Sequence, residues 1–118
     1  MLTPQRFTAN TANKDLPASN TNAVVTKSAP GSGKRTAFTG IWWSYSGTPT
    51  GGRIVLTVGG NAIMDMDITA GGPGFFPTPI HKGGDDEAVV LTLYAGGSGI
   101  TGKVGFFSAW TETAGTLP

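Results

Sequence analysis

Acidic residues are the groups in this sequence with the most obvious capacity for chemistry. Asp65 and Asp67 are separated by one residue, so on a strand both carboxylates would lie on one face, about 7 Å apart. Asp85-Asp86-Glu87 forms a second acidic group. Calcium sites usually take roughly 6–8 oxygen ligands from shaped loops, and neither group has that spacing. Catalysis by a carboxylate pair likewise has no supporting motif, so we interpret both groups as solvated or interface surface.

The rest of the sequence contains little that supports a catalytic nucleophile or a metal site. His81 is the only histidine and there is no cysteine, which excludes multi-histidine metal sites and thiol chemistry. No serine stands in a Gly-x-Ser-x-Gly elbow, so a Ser-His-Asp triad has no motif. We therefore predict no catalytic residue, no cofactor, no required metal and no enzymatic activity.

Two glycine-rich segments resemble phosphate-binding loops without meeting their requirements. Segment 29–36, Ala-Pro-Gly-Ser-Gly-Lys-Arg-Thr, has Arg35 where a Walker loop needs Ser or Thr, and no helical pattern follows. Segment 97–102, Gly-Ser-Gly-Ile-Thr-Gly, matches the dinucleotide fingerprint, but only 16 residues remain after it. Both segments are predicted to be turns.

Aromatic residues are the remaining candidates for a binding site. Trp42 and Trp43 are adjacent, and neighbouring strand residues point to opposite faces, so we expect one in the core and one outward. The outward ring could contact another subunit, a sugar or a base. With no interleaved Arg or Lys, nucleic acid is the least favoured partner. A subunit contact is the first interpretation, and a glycan platform that includes Tyr45 is the second.

The elements that must position these residues are short strands. Apolar and polar residues alternate between glycine-rich turns, as in Arg53–Val58, Ala62–Thr69 and Glu87–Tyr94. In Lys34–Tyr45 the alternation changes parity near Gly40, which predicts a β-bulge there. No connection is long enough for a helical crossover, so the fold class is all-β, an antiparallel sandwich that is jelly-roll-like. The predicted core comprises Ile41, Ile54, Leu56, Met64, Met66, Ile68, Val89, Leu91, Leu93, Val104 and Phe106.

The N-terminal part differs from the rest in composition and charge. Residues 3–23 have only Phe7 and Leu16 as bulky apolar residues, too few for a core of their own. Residues 1–36 carry five basic residues against one acidic residue, whereas residues 37–118 carry three against six. We predict an extended polar arm over 1–23, a sandwich domain over 24–113 and a C-terminal tail over 114–118. The basic charge is either merely solvated or steers docking onto an acidic surface.

Three segments carry a resemblance to a known class of proteins. They are 33–54 (GKRTAFTGIWWSYSGTPTGGRI), 65–80 (DMDITAGGPGFFPTPI) and 93–104 (LYAGGSGITGKV). These phrases resemble small structural proteins of tailed bacteriophages, several of which form jelly-roll-like sandwiches that decorate or cement the capsid. The resemblance implies a virion location after synthesis in the host cytoplasm, and no catalytic residues. It leaves a tail- or fibre-associated component open as an alternative to a decoration protein.

Together, these observations predict two sets of contact residues. In the arm, Arg6, Phe7, Lys14 and Leu16 are predicted to bind the major capsid protein or another virion protein. In the sandwich, Trp42, Trp43, Phe75 and Phe76 are predicted to mediate self-association as a homotrimer. Neither nucleic acid nor a membrane is expected as a partner. A carbohydrate-binding β-sandwich module remains the alternative from a different functional class.

Overall fold

A computed structural model describes residues 8–9 and 14–113. The described part is all-β, and within it no helix could cross a membrane. Its strands are β1 (Thr8–Ala9), β2 (Lys14–Asp15), β3 (Ala23–Lys27), β4 (Lys34–Tyr45), β5 (Arg53–Val58), β6 (Asn61–Asp67), β7 (Gly72–Phe76), β8 (His81–Lys82), β9 (Val89–Leu93) and β10 (Gly102–Thr113).

The strands form two antiparallel sheets. In the six-stranded sheet, β10 and β4 are central, β1 and β2 pair with the outer side of β10, and β7 and β8 pair with the outer side of β4. The four-stranded sheet has the order β3-β9-β5-β6. If β1 with β2, and β7 with β8, each count as one position, successive strands alternate between the sheets except at the β5–β6 hairpin, whose two strands share a sheet. This is the jelly-roll order. The predicted antiparallel sandwich is confirmed.

The core lies between the two sheets and follows the predicted alternation. Most of the predicted core residues are buried, namely Ile41, Ile54, Leu56, Val89, Leu91, Leu93, Val104 and Phe106. Met64, Met66 and Ile68 pack against this core but stay partly exposed, because β6 and the residues after it form a sheet edge. The core also contains Ala23, Val25, Phe38, Tyr45 and Ala109, which the sequence analysis did not include.

The N-terminal segment contributes an edge to the sandwich. Thr8–Ala9 and Lys14–Asp15 pair with β10, and the Asp15 carboxylate accepts a 2.9 Å hydrogen bond from the Val24 backbone N–H. Ala23, the last residue of the predicted arm, is fully buried at the start of β3. The role of residues 1–23 as a docking arm stays a prediction.

The region around Gly40 differs from the prediction in one respect. Ile41 pairs with Phe106 and Thr39 pairs with Ser108, so β4 and β10 keep one register across Gly40 and the predicted bulge against β10 is wrong. The irregularity lies on the other side of β4, between the end of β7 and the start of β8. Gly40 has a φ of +40°, and its N–H donates a 2.8 Å hydrogen bond to the Thr78 hydroxyl in that gap.

Segment 29–36 binds carboxylates of its own chain. Gly31 N–H donates to Asp86 at 2.8 Å and Gly33 N–H donates to Asp85 at 2.7 Å. Backbone N–H groups of turns form concave anion sites, which explains why this segment resembles a phosphate loop. Asp85 and Asp86 therefore join two loops while both stay exposed, as predicted for a solvated surface. Glu87 accepts a hydrogen bond from Gly84 N–H at 2.7 Å within its own loop.

A charged cluster lies at the end of β10. Glu112 is only 6% exposed and contacts Arg35 Nε at 2.9 Å and Lys82 Nζ at 2.9 Å. Trp110 Nε1 donates a third hydrogen bond to it at 3.2 Å. Burial by itself raises the pKa of Glu112, but the hydrogen bonds from Lys82, Trp110 and Arg35 outweigh burial and lower the pKa.

Replacing Gly40 with alanine should destabilise the fold, because its φ is positive and the new Cβ would meet the Phe107 ring. Gly60→Ala is the control: Gly60 also has a positive φ, +84°, but a Cβ there meets nothing within 4 Å. We expect a loss of about 1–2 kcal/mol for Gly60→Ala and a larger loss for Gly40→Ala. Urea unfolding measures both, and equal losses would contradict the close contact with Phe107.

Stability should depend on pH through Glu112. Because its folded-state pKa lies below its ordinary value of 4.5, its contribution is present above that pH and is lost as pH falls through the folded pKa. Glu112→Gln should cost about 1–3 kcal/mol near neutral pH, because it removes charged hydrogen bonds. Urea unfolding across pH should show the gap between the two proteins narrowing below pH 4.5. A gap that is constant with pH would be inconsistent with this role.

Candidate binding face

The outer surface of the six-stranded sheet carries an aromatic ring that covers the backbone of the neighbouring strand. Trp42 on β4 is directly opposite Gly105 on β10. A Cβ built on Gly105 would fall 2.6 Å from Trp42 Cε2 and Cζ2, so the indole covers the place where a side chain would otherwise stand. The indole therefore covers the backbone of β10 at Gly105, while the Trp42 side chain stays partly exposed.

A second ring repeats this arrangement in the neighbouring row. Phe107 on β10 follows the inward-facing Phe106, is half exposed, and covers Gly40 on β4. Phe75 on β7 is directly opposite Trp42 on the other side and is 67% exposed. Together, Trp42, Phe75 and Phe107 span three neighbouring strands, and we call this surface the aromatic face.

Polar side chains lie along one border of the aromatic face. Lys14 on β2 is opposite Gly105, which puts it in the same row as Trp42. One row further along, Ser44 is opposite Lys103. Lys14 and Lys103 are exposed and Ser44 is partly so. The surface thus combines flat apolar rings with hydrogen-bond donors along one border.

The four predicted self-association residues do not form one surface. Trp43 packs against the core and its ring covers Gly74, so the expectation of one inward and one outward tryptophan is confirmed. Phe75 joins Trp42 on the aromatic face. Phe76 points the other way and lines an open cleft between the edges of the two sheets.

Two other predicted contact residues can be placed. Lys14 borders the aromatic face, and Leu16 is half exposed just beyond β2. Arg6 and Phe7 lie outside the described residues.

The prediction that Tyr45 belongs to a glycan platform is wrong. Tyr45 is 1% exposed and its hydroxyl donates a 2.6 Å hydrogen bond to the Tyr94 carbonyl. Burial raises the pKa of the Tyr45 hydroxyl.

The paired carboxylates on β6 do not form an open metal site. Asp65 and Asp67 do share the solvent side of the strand, as predicted. Arg53 binds Asp65 through two hydrogen bonds of 2.8 and 2.6 Å and lies over the Tyr94 ring, 5.2 Å from its centroid. This contact lowers the pKa of Asp65 and raises that of Arg53. Among the described residues, no group of three or more His, Asp or Glu side chains could hold a metal ion.

Phe107 is the functional candidate that the sequence analysis missed. The signal was available, because Phe106-Phe107 repeats the adjacent-aromatic pattern of Trp42-Trp43, and one of each pair must point outward. The pairing of Phe107 with Gly40 depends on the register between two strands far apart in sequence, which periodicity alone does not give.

Comparisons with known proteins leave the family open. No protein-family model matches the chain, and no curated protein matches it. Among solved structures, the CBM36-1 domain of a multidomain xylanase from the hindgut metagenome of Trinervitermes trinervoides is similar at 12% identity and a TM-score of 0.40, covering 97% of this chain and 90% of that one. A family 35 carbohydrate binding module from Clostridium thermocellum is similar at 15% identity and a TM-score of 0.42, covering 92% and 99%. Likenesses this low establish neither a family nor a ligand.

Proposed function

We propose that this protein is a non-enzymatic binding module and that its aromatic face binds a carbohydrate. The observation that carries the proposal is the contact of the Trp42 and Phe107 rings with glycines of the neighbouring strand, beside the highly exposed Phe75. A sugar ring presents a face of C–H bonds, which packs on the open face of an aromatic ring. Rings held in place against the backbone of a sheet can receive such a ligand without having to reorganise.

The size and border of the face fit an extended glycan. Neighbouring strands are about 4.8 Å apart, so a surface across β10, β4 and β7 is about 10 Å wide between its outer strands. That width is enough for more than one sugar ring. Lys14, Lys103 and Ser44 supply donors for hydroxyl groups at the border, while the rings supply contact area.

Polysaccharide binding tests the proposal. Affinity electrophoresis against a panel of soluble plant and bacterial polysaccharides, followed by calorimetry with oligosaccharides of the retained polymer, should detect binding. Trp42→Ala and Phe75→Ala should each weaken it by about three- to tenfold or more, because an aromatic contact contributes roughly 0.5–1.5 kcal/mol beyond its buried area.

Phe76→Ala is the matched control, because Phe76 is the neighbour of Phe75, is also exposed, and faces the cleft. It should leave glycan binding unchanged. If the panel retains no wild-type protein, or if Phe76→Ala weakens binding as much as Phe75→Ala does, the proposal is wrong.

A second candidate function is a virion structural protein that docks on the major capsid protein or on another virion protein, such as a tail component. The resemblance of segments 33–54, 65–80 and 93–104 to phage structural proteins motivates it. The structural observation that favours it is that Lys14 and Leu16, a cation and an apolar side chain, are both exposed beside the outer strand of the six-stranded sheet. Both are therefore free to meet an acidic, partly apolar surface.

Co-sedimentation with particles that carry the cognate capsid protein tests this candidate. Deleting residues 1–13 spares β2 and the buried Ala23, so the sandwich should stay folded while retention falls. Leu16→Ser should also lower retention, whereas Val24→Ser, an exposed apolar residue on the other sheet, should not. Undiminished co-sedimentation of both the deletion and Leu16→Ser would rule out docking through this segment.

A further inference from the structure

The two long sides of the sandwich differ in how they are closed. On one side, the contact from Asp15 to the Val24 backbone joins the edges of the two sheets. On the other side, β6 and β7 are both edge strands and an open cleft lies between the sheets. Core residues form the floor of this cleft and edge residues form its lips: Phe38, Ile41 and Leu56 below, and Ile63, Met64 and Phe76 above.

The cleft is apolar and small. Its volume is about 180 Å³. Pockets for drug-sized ligands usually occupy roughly 300–1,000 Å³. A dry cavity of about 150 Å³ in another protein holds one benzene molecule, so this cleft admits about one phenyl ring or branched aliphatic side chain. The size therefore fits a side chain of a protein better than an oligosaccharide or a cofactor.

We propose that a second copy of this chain covers the open cleft and inserts an apolar side chain into it. The chain carries suitable side chains at the same edge: Ile80 is 55% exposed directly before β8, and Ile63 and Phe76 are about half exposed on the two lips. An edge that presents both an apolar socket and apolar side chains of matching size is self-complementary. A self-complementary patch gives a two-fold dimer, whereas in a cyclic trimer the inserted side chain and the cleft act as two separate patches.

The charges and the edge strands agree with this occupant. Apart from His81, which is stacked on Phe38 at 5.7 Å between ring centroids, the residues that line the cleft carry no ionisable group, so the cleft itself brings no like charges of two copies together. Pro77 and Pro79 lack N–H donors in the segment beside Gly40, which disfavours continuous strand addition by an unrelated chain. A standard interface buries about 800 Å² per partner, so backbone and loops of the edge must contribute beyond these side chains.

Both a two-fold dimer and the trimer predicted from the sequence would cover every cleft. This inference goes beyond the proposed carbohydrate binding, because it concerns another surface, and the two can fail independently. Phe75 and Phe76 separate them: Phe75 belongs to the aromatic face and Phe76 to the cleft.

Light scattering coupled to size-exclusion chromatography of the full chain, over a range of micromolar concentrations, tests the inference. The wild type should reach a mass of two or three chains of 12.1 kDa each. Ile80→Ser and Phe76→Ser should each weaken association at least about tenfold. Ile80 lies outside the core, and melting temperatures should confirm that both variants fold. Phe75→Ser should associate like the wild type. Carbon-13 methyl NMR should show the Met64 signal shifting on dilution.

Three results would overturn it. The first is a wild type with the mass of one chain at every concentration. The second is a Phe75→Ser variant that dissociates as much as Phe76→Ser does. The third is an oligomer whose Met64 methyl signal does not change when it dissociates.

Discussion

The pairing of β4 with β10 is the constraint on which the rest of the structure depends. Both strands are twelve residues long and they pair from Lys34–Thr113 at one end to Tyr45–Gly102 at the other. Midway, both change the parity of their inward residues: Phe38 and Ala109 face the core on one side of Gly40, Ile41 and Phe106 on the other. Because the two strands change together, they keep their register and each half contributes to one continuous core. Gly40 permits the change, since its φ of +40° is costly for any other residue.

Glycine also determines the shape of the outer surface. Trp42 lies on Gly105, Trp43 on Gly74 and Phe107 on Gly40, in each case across a strand pair. A glycine opposite an aromatic residue lets the ring cover exposed backbone, which protects the hydrogen bonds beneath it. On the inner side this device fills the sandwich beside β7. On the outer side it leaves flat rings with one open face, and this is the physical basis for treating the outer side as a binding surface.

Local patterns in the sequence predicted the strands well where residues of two kinds alternate along the chain. Arg53–Val58 alternates cleanly and is the observed β5, and the outward carboxylates of Asp65 and Asp67 follow from the same period of two. Segment 70–74, rich in glycine and proline, has the composition of a break between strands, yet Gly72, Pro73 and Gly74 pair with β4 at a sheet edge where a proline is tolerated. Propensity alone reads such a segment as a turn, and only its partner makes it a strand.

Contacts between distant segments could not be predicted. Asp85 and Asp86 bind the N–H groups of Gly33 and Gly31, more than 50 residues away, so their role in joining loops has no local signature. The burial of Tyr45 and the separation of Phe75 from Phe76 similarly depend on how the sheets stack. A pair of adjacent aromatic residues in a strand predicts that one ring faces outward, but the register between paired strands decides which outward rings become neighbours.

The central claim is that the outward indole, and not the inward one, meets the ligand. The most direct measurement is a proton–nitrogen NMR titration of the tryptophan indole N–H signals with an oligosaccharide from the polymer that the chain binds. We predict a saturable shift of the Trp42 signal, while the Trp43 signal, whose ring lies over Gly74 inside the sandwich, stays in place. A shift confined to Trp43, or saturable binding with no change at Trp42, would contradict ligand binding at the aromatic face.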